Sequence, residues 1–255
     1  MVSGVSPSLA LLPPSDRPLY EQVRLRLIEG ISAGEWRAGE AIPTESELAA
    51  GLGVAIGTVR KAVDSLVAGQ ALVRRQGKGT FVTAHDERRR VFHFFHIVGR
   101  DGAKEYPEVR TVSFRRSRAD ASESAALAIA PLDKVIRIRN VLSLAGRAVL
   151  VDDIALPAEL FPGLTEKILL ARGNTIYHLY QSRYGINVLR TDERLRAVIA
   201  SRDVAQLLGI AAGAPLLEIR RVALTFRDRP VELRLSRIDT ARHDYHNTLG
   251  KDVAT

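Results

Sequence analysis

One short stretch constrains this chain more than any other feature. Thr44 stands three residues before Glu47, an apolar face of Leu48, Ala49 and Leu52 follows, and Gly53 closes the run. The connection from Gly53 to Ile56 then leads into a second apolar face of Val59, Ala62, Val63 and Leu66. A threonine hydroxyl and a glutamate carboxylate at that separation each satisfy a free backbone N–H at a helix start, and glycine past a helix end takes the left-handed conformation other residues avoid. Two helices joined by a tight turn are therefore predicted.

The flanking residues extend the pattern. Asp16 and Pro18 signal a helix start, and Tyr20, Val23, Leu27 and Ile31 recur at helical spacing until Gly34. Beyond Gly69, which ends the third helix, Leu72 to Arg75 and Thr80 to Val82 read as short strands around Gln76-Gly77-Lys78-Gly79, a hairpin turn. Three helices and a hairpin in this order suit DNA readout: a major groove roughly 12 Å wide admits one helix, and a hairpin wing reaches the flanking backbone. With its apolar face inward, the third helix leaves Gly57, Thr58, Arg60 and Lys61 outward near its start. An arginine there can make a paired contact to guanine or hold a phosphate, and Arg74, Arg75 and Lys78 on the wing would add salt-sensitive affinity.

Charge and composition agree with a polyanionic partner. The 255 residues carry 37 basic and 29 acidic side chains, a formal charge of +8, which favours nucleic acid first and a membrane surface second. Length and a 46% hydrophobic content suit two packed domains. The absence of cysteine excludes disulfides, thiolate nucleophiles and cysteine-type zinc sites, and suits a reducing compartment. No stretch of about 18 apolar residues occurs, so the expectation is a cytoplasmic protein with a disordered leader and no membrane association. Neither a phosphate-binding Gly-rich loop ending in Lys-Ser/Thr nor a Gly-x-Ser-x-Gly elbow is present, which argues against ATPase or α/β-hydrolase chemistry. His93 with His96, and His243 with His246, are spaced i, i+3, but on a strand the first pair faces opposite ways. No metal site is expected.

The C-terminal part has a different texture. Strand-like runs cover Phe92 to Val98, Val109 to Ser117, Val135 to Leu144, Val149 to Leu156, Val188 to Ile199, Leu216 to Phe226 and Val231 to Ile238. Helical stretches cover Asp120 to Ile129, Thr175 to Tyr184 and Arg202 to Leu208. Hairpin turns at Ala145-Gly146-Arg147 and Arg227-Asp228-Arg229 make the sheet mainly antiparallel, so the class is α+β. The expected organisation is a winged helix-turn-helix over residues 16–83, a polar linker over 84–90, and a second domain over 91–249.

Residues Pro18 to Val82, with their Leu-Gly-Val turn, Thr-Val-Arg and Arg-Gln-Gly-Lys-Gly-Thr-Phe-Val wing, resemble the GntR-family winged helix. The resemblance implies operator binding as a homodimer, with contacts from Thr58, Arg60, Gln76, Gly77 and Lys78; Gly57 and Lys61 on the outward face, and Thr44, Ser46, Ala55 and Ile56 at the two helix starts, complete the candidate contact set. Ala55 and Ile56 stand where the family often has Ser or Thr and then Arg, and Ser46 stands where Arg is frequent. From about Val91 to Leu249 the chain resembles the UTRA effector domain of the HutC branch, which has a chorismate-lyase-like fold. The carrying residues are Leu127, Lys134 to Arg139, the hairpin ending AVLVDDIALP, Thr175 to Tyr180, and RPVE before the last strand. That resemblance implies a small-molecule effector contacted by Arg137 or Arg139, Asp152, Thr175, Tyr177, Glu232 and, in a C-terminal stretch that departs from the family pattern, His243.

The expected function is transcriptional regulation, with repression relieved by ligand as the default. Its partners would be double-stranded operator DNA, an effector of unassigned identity and a second copy of the chain; no cofactor and no catalytic residue are expected. A lyase-like enzyme with an accessory DNA-binding domain is the alternative, and a structural nucleoid protein a third.

Overall fold

The structure, a computed structural model, describes residues 17–37, 39–68, 71–83, 95–172 and 175–247. Asp16, Gly69, His93 and the linker at 84–90 lie outside the described residues. The chain divides into two compact units: the N-terminal segment is joined by Ile176–Arg190 and Thr225–Arg227, and the remainder forms the second unit.

In the first unit α1 is Leu19–Ala33, α2 Glu45–Leu52 and α3 Ile56–Ala68, followed by strands β1, Leu72–Arg75, and β2, Gly79–Val82. Helix α2 starts with the capping box read from sequence: Glu47 N–H donates to the Thr44 hydroxyl, and Thr44 N–H donates to the Glu47 carboxylate at 2.8 Å. These bonds, led by the Thr44 backbone donor, hold the Glu47 carboxyl below its ordinary pKa. Gly34 and Gly53 end α1 and α2 with φ of 81° and 65°. Helix α1 instead begins after Pro18 without a side-chain cap, proline's fixed φ sufficing at a helix start. Val23, Leu27, Leu48, Leu52, Val59, Ala62 and Val63 meet in one buried core. Gly30 is required there, because a Cβ would come within 2.4 Å of the Trp36 ring. A segment at Ala41 pairs beside Phe81 and widens the hairpin. The later helix α6, Ile176–Tyr184, also belongs to this unit: Gln181 donates from Nε2 to the Thr83 carbonyl at 2.7 Å, and Leu189 and Phe226 pack on the same core.

The second unit is an antiparallel α+β structure. Its main strands are β4, Glu108–Arg118; β5, Lys134–Leu144; β6, Arg147–Pro157; β7, Arg190–Ile199; β8, Pro215–Leu224; and β9, Pro230–Ile238. They form one sheet in the order β4-β5-β6-β9-β8-β7. β5 and β6 are joined by Ala145 and Gly146, both at positive φ (46° and 73°), the two-residue turn whose twist matches that of paired strands. Helices α4, Ala121–Leu127, and α7, Arg202–Leu208, cover one face, burying Val135, Ala155 and Leu233 under the first and Val141, Val151 and Leu216 under the second. A short helix α5, Glu166–Leu170, follows β6.

Of the strand read from Phe92 to Val98, residues 92–94 lie outside the described residues, and Phe95 and His96 precede the strand rather than belong to it. The described strand is β3, Ile97–Gly99, and it pairs with β10, His243–Tyr245, rather than with the main sheet. Three residues of pairing leave too little alternation for a period-2 pattern to register, so β10 gave no signal.

Candidate DNA-binding surface and effector site

The surface of the first unit follows from which faces its core consumes. Val59, Ala62, Val63 and Leu66 are inward on α3, so Ala55, Ile56, Gly57, Arg60 and Lys61 are exposed and Thr58 is half-buried. Ala55 provides no side-chain acceptor at this helix start; its carbonyl takes the first bonds, from Thr58 and Val59. At the start of α2, Ser46 is exposed, while the Thr44 hydroxyl is engaged by Glu47. On the wing, Lys78 N–H closes the turn onto the Arg75 carbonyl at 2.9 Å, with Gly77 at φ 69° and Gln76, Gly77 and Lys78 all exposed. The candidate contacts thus come from the starts of α2 and α3 and from the hairpin tip, within one unit.

Two of these groups are already committed. Arg60 Nε bonds the Glu45 carboxylate at 2.9 Å, and Arg74 bonds the same carboxylate at 2.7 Å while reaching Asp64 at 2.6 Å. The Glu45 bond, ahead of its charge, raises the Arg60 pKa. Glu45 therefore ties α2, α3 and β1 together and pre-orients Arg60. Lys61 lies 4.0 Å from the centroid of the Tyr20 ring on α1, a cation–π contact that turns it from the start of α3. Sequence reading missed Glu45 and Asp64 because their partners are distant along the chain and share no helical period.

In the second unit, strand alternation divides the candidate effector residues. Arg137 and Arg139 point to the face covered by α4 and α7, where the register sets them opposite Ala155 and Asp153. Arg137 bonds Glu123 of α4 at 2.7 and 2.8 Å; Arg139 bonds Asp153 at 2.6 Å and Asp203 of α7 at 3.1 Å. Hydrogen bonding to Glu123 and to Asp153, respectively, raises both arginine pKa values. Here an open cavity of about 280 Å³ is lined by Ser113, Arg115, Arg137, Arg139, Asp153 and Leu235, among others.

Asp152 and Glu232 lie on the opposite face, 2% and 0% exposed. Arg234 forks onto Glu232 at 2.9 and 3.0 Å and bonds Asp152 at 3.0 Å, while the Ser236 hydroxyl donates to Asp152 at 2.5 Å. On the same sheet Arg221 bonds Glu193 at 2.6 Å, and Tyr245 donates to Glu193 at 2.6 Å. Burial, with that bond second, pushes the Tyr245 phenol well above its ordinary pKa. Arg234 and Ser236 had a legible signal: with Glu232 they alternate on one strand face.

Tyr177 is 6% exposed on α6 in the first unit, 5.6 Å from the Tyr180 ring, and Thr175 is the last residue of a second-unit segment. His243 is half-buried in β10 opposite Gly99. Among the described residues no group of three His, Asp or Glu side chains is placed to hold a metal ion, and no helix is long and apolar enough to cross a membrane.

Comparison with known proteins matches both units. Residues 19–82 match bacterial regulatory proteins of the gntR family, and residues 103–244 match the UTRA domain. The chain is 31% identical over 86% of its length, and 89% of the relative's, to a Shigella flexneri protein named "Probable fructoselysine utilization operon transcriptional repressor". It is also 31% identical to the mannosyl-D-glycerate transport/metabolism system repressor of Escherichia coli, over 79% of this chain and 83% of that one. Among solved structures it resembles the ligand-binding domain of a GntR-family transcriptional regulator from Bordetella bronchiseptica. That domain is 36% identical with a TM-score of 0.59, covering 62% of this chain and 98% of that one.

Proposed function

The chain belongs to the GntR family of bacterial regulatory proteins and carries a UTRA domain, and on that premise we propose that it is a dimeric repressor released from its operator by a metabolite. It is a DNA-binding transcriptional regulator and not an enzyme, as its relatives are. Two copies of α3 would enter successive major grooves of a near-palindromic site, roughly 34 Å apart, with the wings on the flanking backbone. The observation that carries this reading is the exposure of Ala55, Ile56, Gly57, Arg60 and Lys61 at the start of α3, with Arg60 held ready by Glu45, the carboxylate that also bonds Arg74 of the wing.

The effector-recognition core in this reading is the buried cluster of Asp152, Arg234 and Glu232. Charges taken out of water cost free energy that an apolar core would avoid, so a cluster of this depth fits recognition of a polar ligand better than it fits stability. The open cavity beside Arg137 and Arg139 supports a second location. A mobility-shift assay with an operator fragment, followed by a thermal-shift screen over metabolites, tests the reading, since a ligand of the folded state raises the melting temperature. Glu232→Gln should keep operator binding and lose the ligand's shift and release. Loss on Arg137→Gln instead would move the site to the cavity. Binding indifferent to DNA sequence would overturn the repressor reading.

A further inference from the structure

The leading turn of α3 carries no polar side chain before Thr58. Ala55, Ile56 and Gly57 follow one another and are all exposed, so the first side chain able to donate or accept a hydrogen bond is that of Thr58, which is half-buried. Ile56 is 44% exposed; in the first unit Leu19 is the other large hydrophobic side chain exposed among the described residues. The core does without Ile56: Val59 is fully buried in it and Val54 packs against it, while Ile56 belongs to neither set.

Gly57 adds an independent sign. It is the second residue of α3, with helical rather than left-handed backbone, and a Cβ built there would meet no atom within 4 Å. Glycine is the poorest helix former after proline, so the fold itself would favour alanine at this position. What the missing side chain provides is a close approach of the helix backbone to something outside the unit. Ile56 stands directly before it, and Arg60 lies one turn further along the same face as Ile56.

We propose that Ile56 reads the C5-methyl group of a thymine in the operator, and that Gly57 lets α3 settle close enough for it to do so. The proposal rests on the reading above that α3 enters the major groove, and it names the base that the helix tip selects. In that groove guanine, cytosine and adenine present only hydrogen-bonding groups, and thymine alone adds an apolar one. An exposed isoleucine set against the polar groups would strip their water and leave them unpaired, whereas against a methyl group it buries apolar surface favourably. Arg60, held by Glu45 at 2.9 Å, is then left to the polar edge of a neighbouring base. The tip thus divides its readout between an apolar and a cationic side chain one turn apart.

Selection from a pool of random-sequence duplexes with the full chain, followed by replacement of each thymine in the selected site by uracil, tests this, because uracil lacks only that methyl group. One position in each half-site should lose about fourfold in affinity, the worth of one buried methyl group. The same uracil should cost nothing with Ile56→Ala, a change that also favours the helix. The loss should be equal at low and high salt, because a methyl contact displaces no counterion. Gly57→Ala should raise the melting temperature yet bind the selected site about tenfold more weakly. A selected site without thymine, a uracil scan without effect, or a loss that persists undiminished in Ile56→Ala overturns the thymine contact, and unweakened binding by Gly57→Ala overturns the close approach. A pool that yields no preferred sequence overturns the repressor reading and this contact together.

Discussion

In the first unit a carboxylate, Glu45, holds Arg60 and Arg74 at the surface, with the arginine side chains 61% and 45% exposed. In the second, Arg234 joins Asp152 and Glu232 with its side chain 13% exposed and theirs 3% and 0%. The chemistry is the same and the depth is opposite. Water screens the surface pairs, so a phosphate oxygen can replace Glu45 at little cost. The buried cluster has no such exchange partner in solvent; only a ligand that brings its own polar groups can rearrange it. Exposed pairs thus suit reversible docking on a charged polymer, and buried ones suit selective response to a small molecule.

Changing Arg234 to Leu should break this contrast most severely. It takes from two buried carboxylates the guanidinium that bonds both, and should cost about 3–5 kcal/mol in urea unfolding. Next in size, Arg60→Ala should weaken operator binding by about ten- to a hundredfold and relax base preference in a mobility-shift assay, leaving unfolding unchanged. Thr44→Ala should lower stability by about 1 kcal/mol through loss of the α2 cap. The folded Glu47 pKa is depressed, so the capping contribution is present above the unfolded value near 4.3 and lost as pH falls through the folded one. The gap between the unaltered protein and Thr44→Ala should therefore narrow below about pH 4. Smallest, Lys78→Ala should weaken binding evenly across sequences and reduce the salt slope by about 1, without altering base preference. An equal loss on specific and unspecific DNA from Arg60→Ala would erase the distinction between these two residues.

The two units were not equally legible. Capping boxes, closing glycines and apolar faces act over a few residues, so α2, α3 and the wing follow directly from the chain. The main strands also follow, because β5, β6, β8 and β9 are buried on both faces and so read as long apolar-rich runs. Which candidate effector residues share a face required the register: Arg137 and Asp152 look equivalent along the chain, yet pairing Arg139 with Asp153 sets them on opposite sides of the sheet. The commitment of Lys61 to Tyr20, and of Arg60 to Glu45, depends on helix packing that spacing alone does not specify.

A sheet with two adhesive edges can add copies without limit, as fibres do. The irregularity between Thr111 and Ser113 leaves β4 unsuited to continue such a ladder.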